Sequence, residues 1–232
     1  MAVRIPYHVV KSHRMIWARY VQKRCVTGAI PYQLRFHERY WEKRLGVDTG
    51  GWIAVELDDG MLYEATPYLL LEDLLCFLDL QAHDVFLDLG CGKGRVTCMV
   101  ARTAVGKVVG LEQEEAFLNQ ARKNISGISD LRAQVDFHHG LAQDFDFDTT
   151  TVAFLFNPFG ADTLLEVLQL LEQSLQRNPR CLRIVYVNPV HEQVLHEAQW
   201  LSNTHTWQSD AYPEFEIQPP NPRLVSFWES KA

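Results

Sequence analysis

Eleven residues constrain this chain more than any others: Val85-Phe86-Leu87-Asp88-Leu89-Gly90-Cys91-Gly92-Lys93-Gly94-Arg95. A short apolar run contains an acid near its end, and three glycines then alternate with other residues. An amphipathic stretch follows, with Val96, Met99, Val100 and Thr103 at helical spacing. This pattern reads as a buried strand, a tight turn and a helix N-terminus. Glycine adopts positive φ cheaply and lets the backbone come close to a ligand. The first helical turn leaves N–H groups open to a polar or anionic group.

A second apolar run, Lys107-Val108-Val109-Gly110-Leu111-Glu112, also ends in an acid, 22 residues past Gly90. In a strand–helix–strand unit of that length, a carboxylate at the second strand's tip reaches a ribose bound at the first. A bidentate acid accepting two hydroxyls suits that task, at about 1.5–3 kcal/mol per charge-assisted bond. The plainer alternative makes Asp88 and Glu112 ordinary strand-end acids. The dinucleotide fingerprint is a poorer match, because it needs a glycine where this chain has Arg95. The two stretches together resemble class I S-adenosylmethionine-dependent methyltransferases, whose first motif has the form Asp-x-Gly-x-Gly-x-Gly. The resemblance implies S-adenosylmethionine as cofactor. It assigns Asp88, Gly90, Cys91, Gly92 and Gly94 to the methionine end and Glu112 to the ribose.

Flanking segments extend the pattern. Asp58-Asp59-Gly60 between two apolar stretches is a hairpin signal. Thr66 then reads as an N-cap, with Pro67 at the first helical position and Leu70, Leu71, Leu74, Leu75 and Leu78 following. Tyr63-Glu64-Ala65-Thr66-Pro67-Tyr68 is similar to the family segment that covers the methionine end, which places Tyr63 and Thr66 in the cofactor site. A helix is expected over 114–126 and a third strand over 133–138. His139-Gly140-Leu141-Ala142 follows at its tip. The family often has an acid after this glycine, but Leu141 stands here. Gly140 and Leu141 therefore enter the cofactor site, and the adenine contact falls to a backbone group or to Asp144.

Strands are expected at 151–156, 183–188, 200–207 and 223–228. Helices follow the first two, and Pro213, Pro219, Pro220 and Pro222 mark irregular loop. The alternation implies an α/β fold: an open, doubly wound, seven-stranded, mostly parallel sheet with an antiparallel last strand, plus an N-terminal helical extension. The domain division is drawn at 1–48 for the extension and 49–232 for the Rossmann-like domain.

Ligands of open α/β sheets sit at the carboxyl ends of the strands. Asn157-Pro158-Phe159-Gly160 lies at such an end. It resembles the Asn-Pro-Pro-Tyr/Phe motif of nitrogen-methylating enzymes, with one proline instead of two. The resemblance implies that the Asn157 oxygen and the next carbonyl orient a nitrogen nucleophile. Phe159 then packs on the target group or on the sheet. The alternative is a strand-terminating Asn-Pro turn. Methyl transfer is an in-line displacement, and holding its partners collinear is worth up to ~7–11 kcal/mol. His138, His139 and His191 are candidate proton acceptors. No His/Cys/Asp/Glu spacing suits a metal, and neither a Gly-x-Ser-x-Gly elbow nor a P-loop is present.

Charge is distributed unevenly. Residues 1–45 hold ten of the 22 Lys and Arg and two of the 29 acids, about +8, which leaves the remainder about −15. Two helices are expected in this segment, over 7–25 and from Pro31 to Leu45, both rich in aromatics. Three readings stand: helices packed on the domain with arginines in water, a docking appendage for substrate or nucleic acid, or a basic helix on a membrane surface. No apolar window approaches the 18 residues of a membrane span, and the N-terminus lacks the apolar core of a secretion signal. Five cysteines without a Cys-x-x-Cys pair suggest reduced thiols, mostly in the core, and a cytoplasmic chain.

The expected activity is methyl transfer to an unidentified acceptor: a nitrogen of a protein, a nucleic acid base or a small molecule. The rivals are a non-catalytic S-adenosylmethionine-binding module holding RNA or a protein through its basic helices, and a dehydrogenase. Glu112→Ala is expected to weaken the cofactor and leave folding largely intact. Oligomeric state is left open.

Overall fold

The computed structural model describes residues 30–50, 52–53, 63–208 and 224–231. The helix expected over 7–25, the Asp58-Asp59-Gly60 turn and the prolines between 213 and 222 lie outside them. Helix α1 spans Ile30–Leu45. Two short strands, β1 (Trp52–Ile53) and β2 (Tyr63–Glu64), pair antiparallel, as the hairpin signal requires. Helix α2 covers Tyr68–Leu78 and buries Leu70, Leu71, Leu74 and Leu78, at about 1.5–3 kcal/mol for each side chain.

The core then alternates: β3 (Val85–Leu89), α3 (Arg95–Val100), β4 (Lys107–Glu112), α4 (Glu115–Ser126), β5 (Gln134–His139), β6 (Val152–Phe156) and α5 (Ala161–Arg177). It closes with β7 (Arg183–Val187), α6 (Glu192–Glu197), β8 (Leu201–Gln208) and β9 (Leu224–Ser230). The seven-stranded sheet has the order β5-β4-β3-β6-β7-β9-β8, and β9 runs antiparallel to both neighbours. The other pairings are parallel.

Side-chain alternation along each strand builds two cores. Phe86, Val108, Val152 and Phe154 face Leu45, α2 and α3. Leu87, Val109, Ala153, Leu155 and Tyr186 face Leu164, Val167, Leu168 and Leu171 of α5. Asp84, just before β3, fastens the opposite end of the sheet from the glycine turn. It accepts from Gln81 N at 2.8 Å, Thr151 Oγ1 at 2.9 Å and Arg183 Nη2 at 2.8 Å. Burial alone would raise its pKa, but these donors and the Arg183 charge hold it below the usual carboxylate range.

One local expectation needs correction. Thr66 is not the N-cap of α2: Pro67 holds that position without a side-chain cap. A Glu38 oxygen from α1 accepts the Tyr68 N–H at 2.9 Å in its place. Of the four described cysteines, Cys91 and Cys98 are buried and Cys76 and Cys181 are exposed. Among the described residues no helix is long and apolar enough to cross a membrane.

Candidate functional site

The chain order around β3 puts β4 on one side and β6 on the other, so the connections leaving these strands part at the β3 tip. The glycine turn lies there, with Gly90, Gly92 and Gly94 all at positive φ. Gly90 N and Cys91 N both donate to Leu111 O at 2.9 Å, which binds the turn to the end of β4. The Glu112 side chain completes the junction. Its Oε2 accepts from Gly92 N at 2.8 Å and its Oε1 from Glu114 N at 2.9 Å. The two sequence stretches separated by 22 residues therefore meet through one carboxylate.

That carboxylate is buried. Burial raises its pKa, opposed by the N–H groups of Glu114, Gly92 and Gln113. Each carboxylate oxygen has a second acceptor direction, so two hydroxyls of a ligand could still be taken up. The expectation that folding is indifferent to Glu112 changes. Removing the carboxylate strands two backbone donors, at about 1–3 kcal/mol for each that stays buried.

Asp88 lies in β3, two residues before Gly90, on the same face of the sheet as Phe86. It is 2% exposed, and its Oδ2 accepts from Thr97 N at 3.1 Å and Thr97 Oγ1 at 2.8 Å. Burial, with Glu112 adding a smaller push, raises its pKa to about 7 against the pull of the Thr97 bonds. In this structure Asp88 anchors the first turn of α3.

The glycines are required by their neighbours. A Cβ on Gly92 would lie 2.3 Å from Tyr63 Cε2, and one on Gly90 would lie 2.7 Å from Pro158 Cβ. Tyr63 thus lies against the turn from the segment before α2, and Pro158 from the end of β6. The Tyr63 hydroxyl donates to Thr49 O at 2.6 Å, and its ring packs on Phe117 with centroids 4.8 Å apart. Gly94 faces Ala121 of α4, and the Cys91 sulfur lies toward Gly110 in the sheet.

Arg95, the first residue of α3, holds the N-terminal helix to this corner. It is 5% exposed. Its guanidinium pairs with Glu38 and, at 3.1 Å, with Glu42 of α1. Nε donates to Thr49 Oγ1 at 2.7 Å, Nη1 to Thr66 O at 3.1 Å, and the group lies 4.3 Å from the Tyr68 ring centroid. Burial opposes its charge, yet Glu38, Tyr68 and Glu42 more than compensate, and its pKa is raised. Thr66 joins the corner through its carbonyl.

At the end of β6, Asn157 is buried with φ of 43°, a left-handed conformation that Asn tolerates better than most residues. Its Oδ1 accepts from Tyr186 OH at 3.0 Å, and that hydroxyl receives His191 N at 3.4 Å. Burial raises the Tyr186 pKa to about 12, so it stays a donor. Phe159 is half-buried against the α5-side core. Asn188 repeats the Asn157 arrangement one strand over, with φ of 50° and a proline after it, just past the Phe156–Val187 pairing.

Around β5, Gly140 N donates to Glu112 O at 3.1 Å and Leu141 is 49% exposed. Asp144 is exposed in the 3-10 turn Ala142–Asp144. His139 Nε2 is 3.0 Å from Gln113 O, and His138 packs edge-on against Phe145.

The structure brings together Tyr63, Thr66, Gly90, Gly92, Glu112 and the Asn157-Pro158 corner. Sequence reasoning missed Arg95 with Glu38 and Glu42, as well as Thr49, Tyr186 and Asn188. The excess of basic residues in 1–45 made its two acids conspicuous, and that was the only available signal for the Arg95 cluster.

Residues 86–182 match a family model described as a methyltransferase domain. No curated protein matches the chain. Among solved structures, the chain is similar to an RNA methyltransferase from Salinibacter ruber in complex with S-adenosyl-L-homocysteine. The identity is 22%, 72% of this chain and 94% of that one are covered, and the TM-score is 0.54. It is also similar to a precorrin-6y C5,15-methyltransferase from Geobacter metallireducens, at 16% identity, 72% and 90% coverage and a TM-score of 0.52. These likenesses establish the fold.

Proposed function

We propose that the chain transfers a methyl group to a nitrogen acceptor at the tips of β3 and β6, a reading supported by the match of residues 86–182 to a methyltransferase-domain model. The cofactor is S-adenosylmethionine. The observation that carries the reading is the Glu112–Gly92 contact, which unites the glycine turn with the β4 carboxylate beside Tyr63 and Pro158. A cofactor with a ribose and an amino-acid tail fits those donors and acceptors.

When bound, the cofactor supplies an electrophilic methyl group on a positively charged sulfur. The chain's own residues bind and orient. Glu112 takes the ribose hydroxyls on its remaining acceptor directions. Gly90 and Gly92 keep side chains out of the corner, and Tyr63 shields it from water. Asn157 accepts an N–H of the acceptor on the lone pair that Tyr186 leaves open, which aims the nitrogen's own lone pair. Because Tyr186 already fixes the carboxamide, little rotamer freedom is lost on binding.

The test is a thermal shift with S-adenosylhomocysteine against NAD, followed by methyl transfer from tritiated cofactor into cell extract. A ligand at 100 times its dissociation constant adds about 2.7 kcal/mol, a clear shift. We expect stabilisation by S-adenosylhomocysteine alone and labelled product that Asn157→Ala reduces at least tenfold. Stabilisation by NAD would favour the dehydrogenase. Cofactor binding without any transfer would leave only the binding module.

A further inference from the structure

We propose that the exposed face of α1, with Arg39, Tyr40, Lys43 and Arg44, docks a single-stranded nucleic acid that carries the methyl acceptor. The proposal rests on the transfer reading above and adds the class of substrate.

Charge is the first support. Residues 1–45 hold ten bases and two acids, and both acids, Glu38 and Glu42, turn onto the buried Arg95 guanidinium. The acids that would temper the segment's charge are therefore spent on a residue outside it. Arg39, Lys43 and Arg44 are exposed. The rest of the chain, at about −15, repels a polyanion and confines it to this end.

Position is the second. The Trp41 ring reaches Arg102, just past the C-terminal end of α3, while Glu38 reaches the first residues of α2 and α3. Helix α1 therefore runs in the same direction as α3. Its preceding turns, residues 30–37, extend about 12 Å farther at 1.5 Å per residue. They project toward the side of the sheet where the glycine turn and Asn157 lie.

Chemistry is the third. Tyr40 is 46% exposed, with the Arg44 guanidinium 5.9 Å from its ring centroid. A surface aromatic backed by a cation offers an unpaired base a stacking platform. A membrane is a poorer fit to residues 38–45, because Trp41 packs on Tyr68 and Leu45 belongs to the core, so neither is open for insertion.

The test uses the full chain and a fluorescein-labelled 20-nucleotide single-stranded RNA of mixed sequence, read by anisotropy between 50 and 200 mM KCl. Single-strand binding falls with salt at a log–log slope of about −0.7 per phosphate neutralised. If Arg39, Lys43 and Arg44 each meet one phosphate, R39Q/K43Q/R44Q should flatten the slope by about 2. Over that fourfold salt range the parent should then weaken about 20-fold more than the variant. Arg177→Gln, on α5 across the sheet, should bind as the parent does, and thermal melts should show all variants folded. Equal slopes for parent and triple variant would overturn the proposal, as would binding to phosphatidylglycerol vesicles without binding to RNA. RNA binding that depends on α1 without S-adenosylhomocysteine binding would keep the docking and remove the transfer reading. Labelled methyl found only in protein would keep the transfer and remove the docking.

Discussion

Replacing Arg95 with methionine tests whether α1 belongs to the cofactor corner or merely lies beside it. The Glu38 and Glu42 side chains are 29% and 20% exposed, against 6% for Arg95. Arg95→Met leaves two partly buried carboxylates facing each other without their cation. Breaking a buried pair by deleting one partner costs about 3–5 kcal/mol, and the partial exposure of the acids favours the lower end, about 3 kcal/mol. That is a large part of the 5–15 kcal/mol typical of a domain. The triple variant R95M/E38Q/E42Q removes the stranded charges and should recover more than half of the loss. Urea unfolding of the parent, Arg95→Met, E38Q/E42Q and the triple variant forms a mutant cycle that isolates the coupling. Hydrogen exchange should locate the damage, with α1 amides exchanging faster in Arg95→Met and β3 and β6 amides tracking only the global loss. A loss below about 1 kcal/mol, or a triple variant as unstable as the sum of its parts, would refute the latch.

Two further tests follow from the turn itself. Asp88 keeps its proton in the folded chain up to about pH 7 but ionises near 4 when unfolded. Its stabilising contribution is therefore full below pH 4 and is lost as pH rises through 7, by about 4 kcal/mol in all. Asp88→Asn keeps an acceptor for Thr97 and cannot ionise, so its advantage over the parent in urea should grow from pH 5 to pH 8. A pH-independent difference would exclude this role. Gly92→Ala should destabilise the chain through both its φ of 52° and the collision with Tyr63. In a Tyr63→Ala background only the φ cost of about 1–2 kcal/mol remains. Equal melting-temperature losses in the two backgrounds would mean that Tyr63 does not rest on the turn.

What the sequence made legible was local. The strand–turn–helix at 85–95 and the acid 22 residues past Gly90 could be read because chain spacing alone brings them together in a strand–helix–strand unit. Alternation of strands and helices similarly foretold the parallel sheet. The misreadings share one cause. Thr66 looked like a cap because it precedes Pro67, but the donor it should have satisfied is taken by Glu38, 30 residues away. Arg95 stood out only as the residue that spoils a dinucleotide fingerprint. Its partners Glu38 and Glu42 lie 57 and 53 positions back, beyond any spacing rule.

Asp84 and Asp88 show most clearly why such rules stop where they do. Both acids border or lie in β3, four residues apart, and both are buried. Asp84 receives Arg183, from 99 residues downstream, and its pKa falls. Asp88 receives Thr97 but no cation, has Glu112 nearby, and its pKa rises. Burial penalises the charged form of both, Asp88 being the deeper of the two, and it is the Gln81 and Thr151 donors and the Arg183 charge that turn Asp84 the other way. The β7 strand that carries Arg183 reaches Asp84 because β6 alone separates it from β3. Strand order is a property of the folded sheet, and the charge state of each acid is one of its consequences.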